Sequence, residues 1–450
     1  MQVQKLLDFW KKLTSGSINR KIFGAAVTVA LLTVFVKVVA VVRELVVAWR
    51  FGTGDNIDAF LIALVVPSFI INVVAGSLNA ALIPTYIQVR DREGTKAAQR
   101  LFAGTTVWGL GVLLITTILI VVTAPLYLPL IASGFSREKL DLTFHLLCAI
   151  APVVMLSGIV VIWGAVLNAG ERFALAALSP MITPAITVVF LLLIKSWGIF
   201  DLAAGLVCGA LLEIVVLGAG LYRQGISLRP RWYGMDPHLR QVAGQYAPRI
   251  AGAFLMCSAG LVDQSMAAML PSGSVAALLY ANRVIAFPIT LASTALSTAV
   301  IPYFSKMVAC EDWTGVSRTL NQYMRLIFVT TVPLTGLLLV FSEFIVQILF
   351  QRGSFTANDT HLVAQIQSCF ALQIPFYVAG IFMVNLITAM RLNHILMWVS
   401  VFNLIINIVL NYLFLQLLGV KGIALSTSCV YLFSFLYLLL AAQRKLKQFQ

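Results

Sequence analysis

Residues 37–84 read KVVAVVRELVVAWRFGTGDNIDAFLIALVVPSFIINVVAGSLNAALIP. They divide into two long apolar stretches joined by a short turn rich in Gly and Asp. Each stretch is long enough to cross the hydrocarbon core of a membrane as a helix. Lys37, Arg43 and Glu44 lie inside the first, and Asp58 opens the second. An ionisable side chain at membrane depth is costly and ordinarily faces a partner or a water-filled cavity, so these positions bear on function as well as fold.

The same pattern fills the chain. Of its 450 residues 60% are hydrophobic and 11% charged, with mean hydropathy +0.96. A soluble domain of this length carries about twice that charge. Apolar runs recur at about 22–49, 57–88, 101–124, 142–168, 173–195, 199–222, 242–270, 274–306, 322–350, 361–390, 393–417 and 421–442. They predict an all-α polytopic membrane protein of about twelve transmembrane helices, since a membrane β-barrel would show short alternating segments instead. The connections are too short for a separate soluble domain.

The cations order the spans. With the N-terminus inside, the inner segments hold 21 Lys and Arg, the outer segments six, and the remaining four lie within or at the edges of spans. That bias predicts a multi-pass protein with both termini in the cytoplasm. It also accounts for the formal net charge of +14 without invoking nucleic acid. The first 21 residues are basic and lack an apolar core, so no cleavable signal peptide is expected. Val3, Leu6, Leu7, Trp10 and Leu13 recur at helical spacing, which suits either a surface-lying amphipathic helix or a solvated basic tail. Six scattered cysteines and four isolated histidines form no metal or disulfide pattern.

The chain repeats itself. AALIPTY at 80–86 matches TAVIPYF at 298–304, and Glu93 and Arg100 match Glu311 and Arg318 at the same offset. Two halves of six spans, 1–222 and 223–450, are therefore expected in the same orientation. Transporters often place their substrate between such halves.

Lys37, Arg43, Arg249 and Arg283 fall on the first two spans of the two halves, with fewer acids there, chiefly Glu44, Asp58 and Asp263. If the repeats face one another, these residues line one net-positive cavity suited to a phosphate or pyrophosphate. Structural ion pairs, such as Asp263 with Arg283, or snorkelling of Arg249, are the competing readings. No nucleophile-and-base set, phosphate-binding Gly loop or acidic metal cluster appears, and Glu213 stands isolated in the sixth span. The absence of a catalytic set weighs against a membrane-embedded glycosyl- or acyltransferase. The positive sign weighs against an exporter of cationic drugs.

VRELVVAWRFGTGDNIDAFLIALVVPSFI (42–70), SLNAALIPTY (77–86), PSGSVAALLYANRVIAFP (271–288), STAVIPYFSK (297–306) and LFQRGSFTANDT (349–360) resemble the MurJ/MviN lipid II flippase family. That family lies within the multidrug/oligosaccharidyl-lipid/polysaccharide exporter superfamily. The resemblance implies two pseudo-symmetric six-helix bundles around a central cavity and alternating access in the bacterial inner membrane. It also implies an undecaprenyl-pyrophosphate-linked saccharide as substrate, with membrane lipids around it and glycosyltransferase or polymerase partners nearby. It maps family cations onto Lys37, Arg43 and Arg283, and a family aspartate onto Asp58. No cofactor is implied, while coupling to an ion gradient or the membrane potential stays open. The chain departs from the family in lacking an Arg and a Glu within 70–77, in carrying Asn282, and in the extra Arg249. Members typically have fourteen helices. An exopolysaccharide or O-antigen unit therefore competes with lipid II as substrate.

Overall fold

The computed structural model describes residues 18–170, 173–194 and 196–449. The segment around Val3–Leu13, read as a surface helix or a basic tail, lies outside them. Among the described residues every regular element is helical. We number them α1 (Ile18–Phe51), α2 (Asp55–Glu93), α3 (Thr95–Ile131), α4 (Arg137–Ala169), α5 (Ala174–Leu193), α6 (Phe200–Tyr222) and α7 (Pro237–Ala267). They continue with α8 (Ser274–Ala309), α9 (Trp313–Val340), α10 (Ser342–Phe350), α11 (Ala357–Ala371), α12 (Ile374–Ala389), α13 (Asn393–Leu418) and α14 (Val420–Phe449). Ten of these are long and apolar enough to cross a membrane, and the α11–α12 pair, bent by 41°, makes an eleventh. Each of the twelve spans expected from the sequence falls on a helix or a broken helix, with α1 carrying the first. The protein is a multi-pass, all-helical membrane protein.

Proline marks most of the breaks. Pro375 sits at the start of α12, where its missing N–H costs nothing, and the bend falls just before it. Pro180 lies in a 3₁₀ turn, Ser179–Met181, that interrupts α5. In α2, Pro67 precedes a π-helical turn at Ile71–Ala75. Proline removes one backbone donor and crowds the preceding turn, which accounts for the breaks at Pro180 and Pro375.

The chain forms two compact units. One comprises residues up to Val47, Val66–Ala124 and Phe144–Ala253. Its core gathers Leu78, Leu82, Tyr86 and Val89 of α2, Leu101 and Phe102 of α3, Ile162 and Val166 of α4, Leu217 and Leu221 of α6, and Leu239 and Val242 of α7. The repeated AALIPTY stretch thus buries Ala81, Leu82 and Tyr86. Tyr246 adds an edge-on contact to Trp108, 5.2 Å between ring centroids, and donates its hydroxyl to the Val74 carbonyl at 3.2 Å. Gly205 and Gly209, four apart on α6, let α5 approach closely. A Cβ on Gly209 would stand 2.7 Å from the Thr183 Cα, and one on Gly205 2.8 Å from the Thr187 Cα. Such small-residue pairs are how membrane helices gain contact without a hydrophobic driving force.

The other unit comprises Ala48–Val65, Pro125–Thr143 and Phe254–Gln450. Its interior holds several aromatic contacts. Phe382 packs against Phe304 at 5.2 Å and Tyr323 at 5.6 Å, and Phe435 packs against Phe328 at 5.7 Å. Tyr280, Phe350 and Phe355 form a further trio with centroids 5.3–5.8 Å apart.

Candidate functional site

Lys37, Arg43 and Arg249 belong to the first unit; Asp58, Asp263 and Arg283 belong to the second. Lys37 is exposed near the middle of α1. Arg43, six residues on, is half-buried, and its Nε is buried with no hydrogen-bond partner. Arg249 is exposed on α7, immediately after Pro248. Among the described residues none of the three forms an ion pair. A buried guanidinium N–H without an acceptor costs free energy unless an anion arrives to meet it. Arg283 is exposed on α8, ten residues into the helix.

Asp58 is held differently. It is 1% exposed, and both carboxylate oxygens are engaged within its own unit. The backbone N–H groups of Gly273 and Ala276 donate to it at 2.7 and 2.9 Å, and Lys139 Nζ at 3.2 Å. Asp58 therefore caps the N-terminus of α8 from a distant point in the chain, where free amides and the helix dipole favour negative charge. Lys139 also pairs with Asp55 at 2.6 Å and lies over the Phe135 ring at 4.0 Å. The sequence reading missed Lys139 because it looked like one of a few cations on the sparsely charged side.

Three of the quoted motifs meet around this carboxylate. Gly273 is in the left-handed region at φ +88°, and a Cβ there would fall 3.1 Å from Thr53 Oγ1. Tyr280 donates its hydroxyl to the Gly52 carbonyl at 3.3 Å. Ser354 donates its N–H to the Trp49 carbonyl at 2.8 Å and its hydroxyl to the Arg50 carbonyl at 3.0 Å, while Thr53 bonds Asp359. Gly52 and Gly353 make this possible, since side chains there would strike the Ser354 and Trp49 backbones. The 49–58 turn, the start of α8 and the 350–359 loop are thus one polar knot.

Asp263 sits in a second polar cluster. Asn407 and Asn411 donate to its Oδ1 at 3.0 and 2.6 Å, and Thr427 to its Oδ2 at 3.5 Å. Asn411 keeps a buried carbonyl oxygen with no partner. A carboxylate with spare amide and hydroxyl oxygens is the donor set that suits a hard cation or a proton. Asn407 and Asn411 are four apart on α13, a spacing visible in the sequence as NxxxN but unread without its partner on α7. Among the described residues no group of three His, Cys, Asp or Glu side chains could hold a metal ion. Glu213, isolated in the sequence, is buried and accepts from the Thr183 hydroxyl at 3.0 Å.

Helical spans throughout, several carrying ionisable side chains, define a multi-pass membrane protein. Comparison with known proteins agrees. The model of the family described as lipid II flippase MurJ matches residues 47–450. A probable lipid II flippase MurJ of Synechocystis is 28% identical over 447 residues, covering 96% of this chain and 83% of that protein. One of Rickettsia prowazekii is 26% identical over 416 residues, covering 90% and 81%. Among solved structures, a lipid II flippase MurJ in an inward closed conformation superposes with TM-score 0.81 at 23% identity, covering 93% of this chain and 87% of its own. An inward-facing multidrug resistance transporter of the MATE family gives 0.77 at 12% identity, covering 94% and 98%. The chain belongs to the MurJ lipid II flippase family, a family of transporters and not of enzymes.

Proposed function

We propose that the protein moves an undecaprenyl-pyrophosphate-linked saccharide, lipid II in the first instance, from the inner to the outer leaflet of a bacterial cytoplasmic membrane by alternating access. The observation that carries this reading is the family match running from the end of α1 to the last described helix. Lys37, Arg43 and Arg249, which form no ion pair among the described residues, support it. A pyrophosphate bears about two negative charges, and hydrogen bonds from Lys or Arg to phosphate are worth about 1.5–3 kcal/mol each. Two or three together offset part of the cost of carrying the head group through a low-dielectric region, while leaving it free to depart. Lys37, Arg43, Arg249 and Arg283 are the side chains assigned to that task. Asp263 is the place where ion coupling would enter.

The fold alone is shared with multidrug transporters, but a cavity lined by cations repels the organic cations such transporters often carry. The sequence departures at 70–77 and Asn282 leave a different polyprenyl-linked saccharide as the second reading. Replacing the resident lipid II flippase of a bacterial cell with this chain separates the two. Sustained growth with normal peptidoglycan is the expected result. Arrest with lipid II held in the inner leaflet, alongside restored export of another polyprenyl-linked saccharide, would overturn the lipid II assignment.

A further inference from the structure

A second cationic site lies at one end of the first unit, apart from the membrane-depth cations. Lys96, Gln99 and Arg100 occupy one face of α3 within its first two turns, and the non-helical stretch between α6 and α7 crosses in front of them. Arg229, Arg231 and Tyr233 on that stretch complete a cavity of about 430 Å³. Gln99 donates to the Gly225 carbonyl at 3.2 Å, which fastens the stretch to α3. Tyr233 lies under the Arg100 guanidinium at 5.9 Å, which holds that fork in place.

The cavity lining contains four cations and no acid. Nearby carboxylates are already committed: Glu93 to His238 at 3.0 Å, Asp91 to Arg90 at 3.1 Å, and Asp236 to the Leu239 N–H at 2.7 Å as the cap of α7. Among the described residues, Lys96, Arg100, Arg229 and Arg231 form no ion pair. No acid stands in the first turn of α3, whose free amides add to the positive field. Three guanidinium forks and an ammonium around a cavity this large match an oxyanion bigger than a single phosphate. The neighbours are not those of a fully aqueous site. Trp232 is 51% exposed, Tyr233 50% and Met235 56%. Aromatic side chains mixed with cations are the composition of a membrane–water interface.

We propose that this cavity binds the phosphate-bearing head group of an anionic membrane lipid in the inner leaflet, where basic pockets recognise such head groups. The leaflet rests on the orientation proposed above; the chemistry of the site does not. None of its residues is assigned to carrying the transported saccharide, so the site would anchor or tune the carrier from the membrane side.

The test uses the purified full chain in a neutral detergent, titrated with short-chain phosphatidylglycerol, short-chain phosphatidylcholine and inorganic pyrophosphate. The expected result is saturable binding of phosphatidylglycerol, weakened by added salt, with phosphatidylcholine binding far less. The Arg100→Gln/Arg229→Gln double variant should lose at least about tenfold in affinity. Lys96→Gln, a single exposed change, should lose a smaller but measurable part, and serves if the double variant does not fold. Equal binding of the two lipids, or affinity unchanged in the variants, would overturn the proposal. Arginine-dependent binding of pyrophosphate without binding of phosphatidylglycerol would assign the cavity to a soluble anion instead. Nothing in this titration reads out flipping, so it can fail while the transport reading stands, and the reverse.

Discussion

Asp58 and Arg43 are both ionisable groups in apolar surroundings, yet their bonding gives them different tasks. Asp58 accepts from two backbone amides and from Lys139, a fully met carboxylate at a helix start. Removing one partner of a buried, hydrogen-bonded charge pair typically costs about 3–5 kcal/mol. Asp58→Ala should therefore lower the unfolding temperature of the purified protein clearly. Asp58→Asn, which keeps an acceptor for one amide, should lower it less; equal unfolding temperatures for wild type and Asp58→Ala would deny Asp58 its capping role. Arg43 has the opposite signature, a buried Nε awaiting an acceptor. Arg43→Ala should leave unfolding nearly unchanged while substrate binding falls, as titration with a labelled lipid-linked saccharide would show. The sequence exposed both residues, because charge in an apolar run is conspicuous. It hid Lys139, Asn407, Asn411 and Thr427, which are ordinary residues until the fold brings an aspartate to them.

At the level of elements, the 49–58 turn, the start of α8 and the 350–359 loop act as a unit. Thr53 lies beside Gly273, so cysteines placed at Thr53 and Ser272 should cross-link readily. Under the alternating-access reading the cross-link stops transport and a reductant restores it; efficient cross-linking with transport untouched would remove this knot from the gating cycle. The Asp263 cluster ties α7 to α13 and α14. If its spare oxygens take a cation, alkali-metal salts should raise the unfolding temperature of the wild type and not of Asp263→Ala. The same rise in both would make the cluster a structural junction only. Helix breaks at Pro180 and Pro375 were foreseeable, since proline cannot donate and clashes with the turn before it. The π-turn at Ile71–Ala75 was not, because no residue type demands that winding.

For the whole molecule, hydropathy reads the span pattern well, since twenty apolar residues are a direct imprint of the bilayer. Two compact units were harder to foresee. Ala48–Val65 and Pro125–Thr143 gather with residues after Phe254, and pairings so distant in sequence leave no local mark. With the orientation argued above, a reporter fused after α14 should be active in the cytoplasm; activity only on the outer side would reverse the topology and move the lipid-head site to the other leaflet. The central claim is that cations at membrane depth carry a pyrophosphate-linked saccharide across. Its most direct test is flipping of a labelled undecaprenyl-pyrophosphate saccharide in proteoliposomes by wild type, Lys37→Ala and Arg283→Ala. The account predicts wild-type transfer of chemically unaltered lipid and loss of transfer in both variants, each folded and inserted normally. Transfer at the wild-type rate in both variants would contradict it.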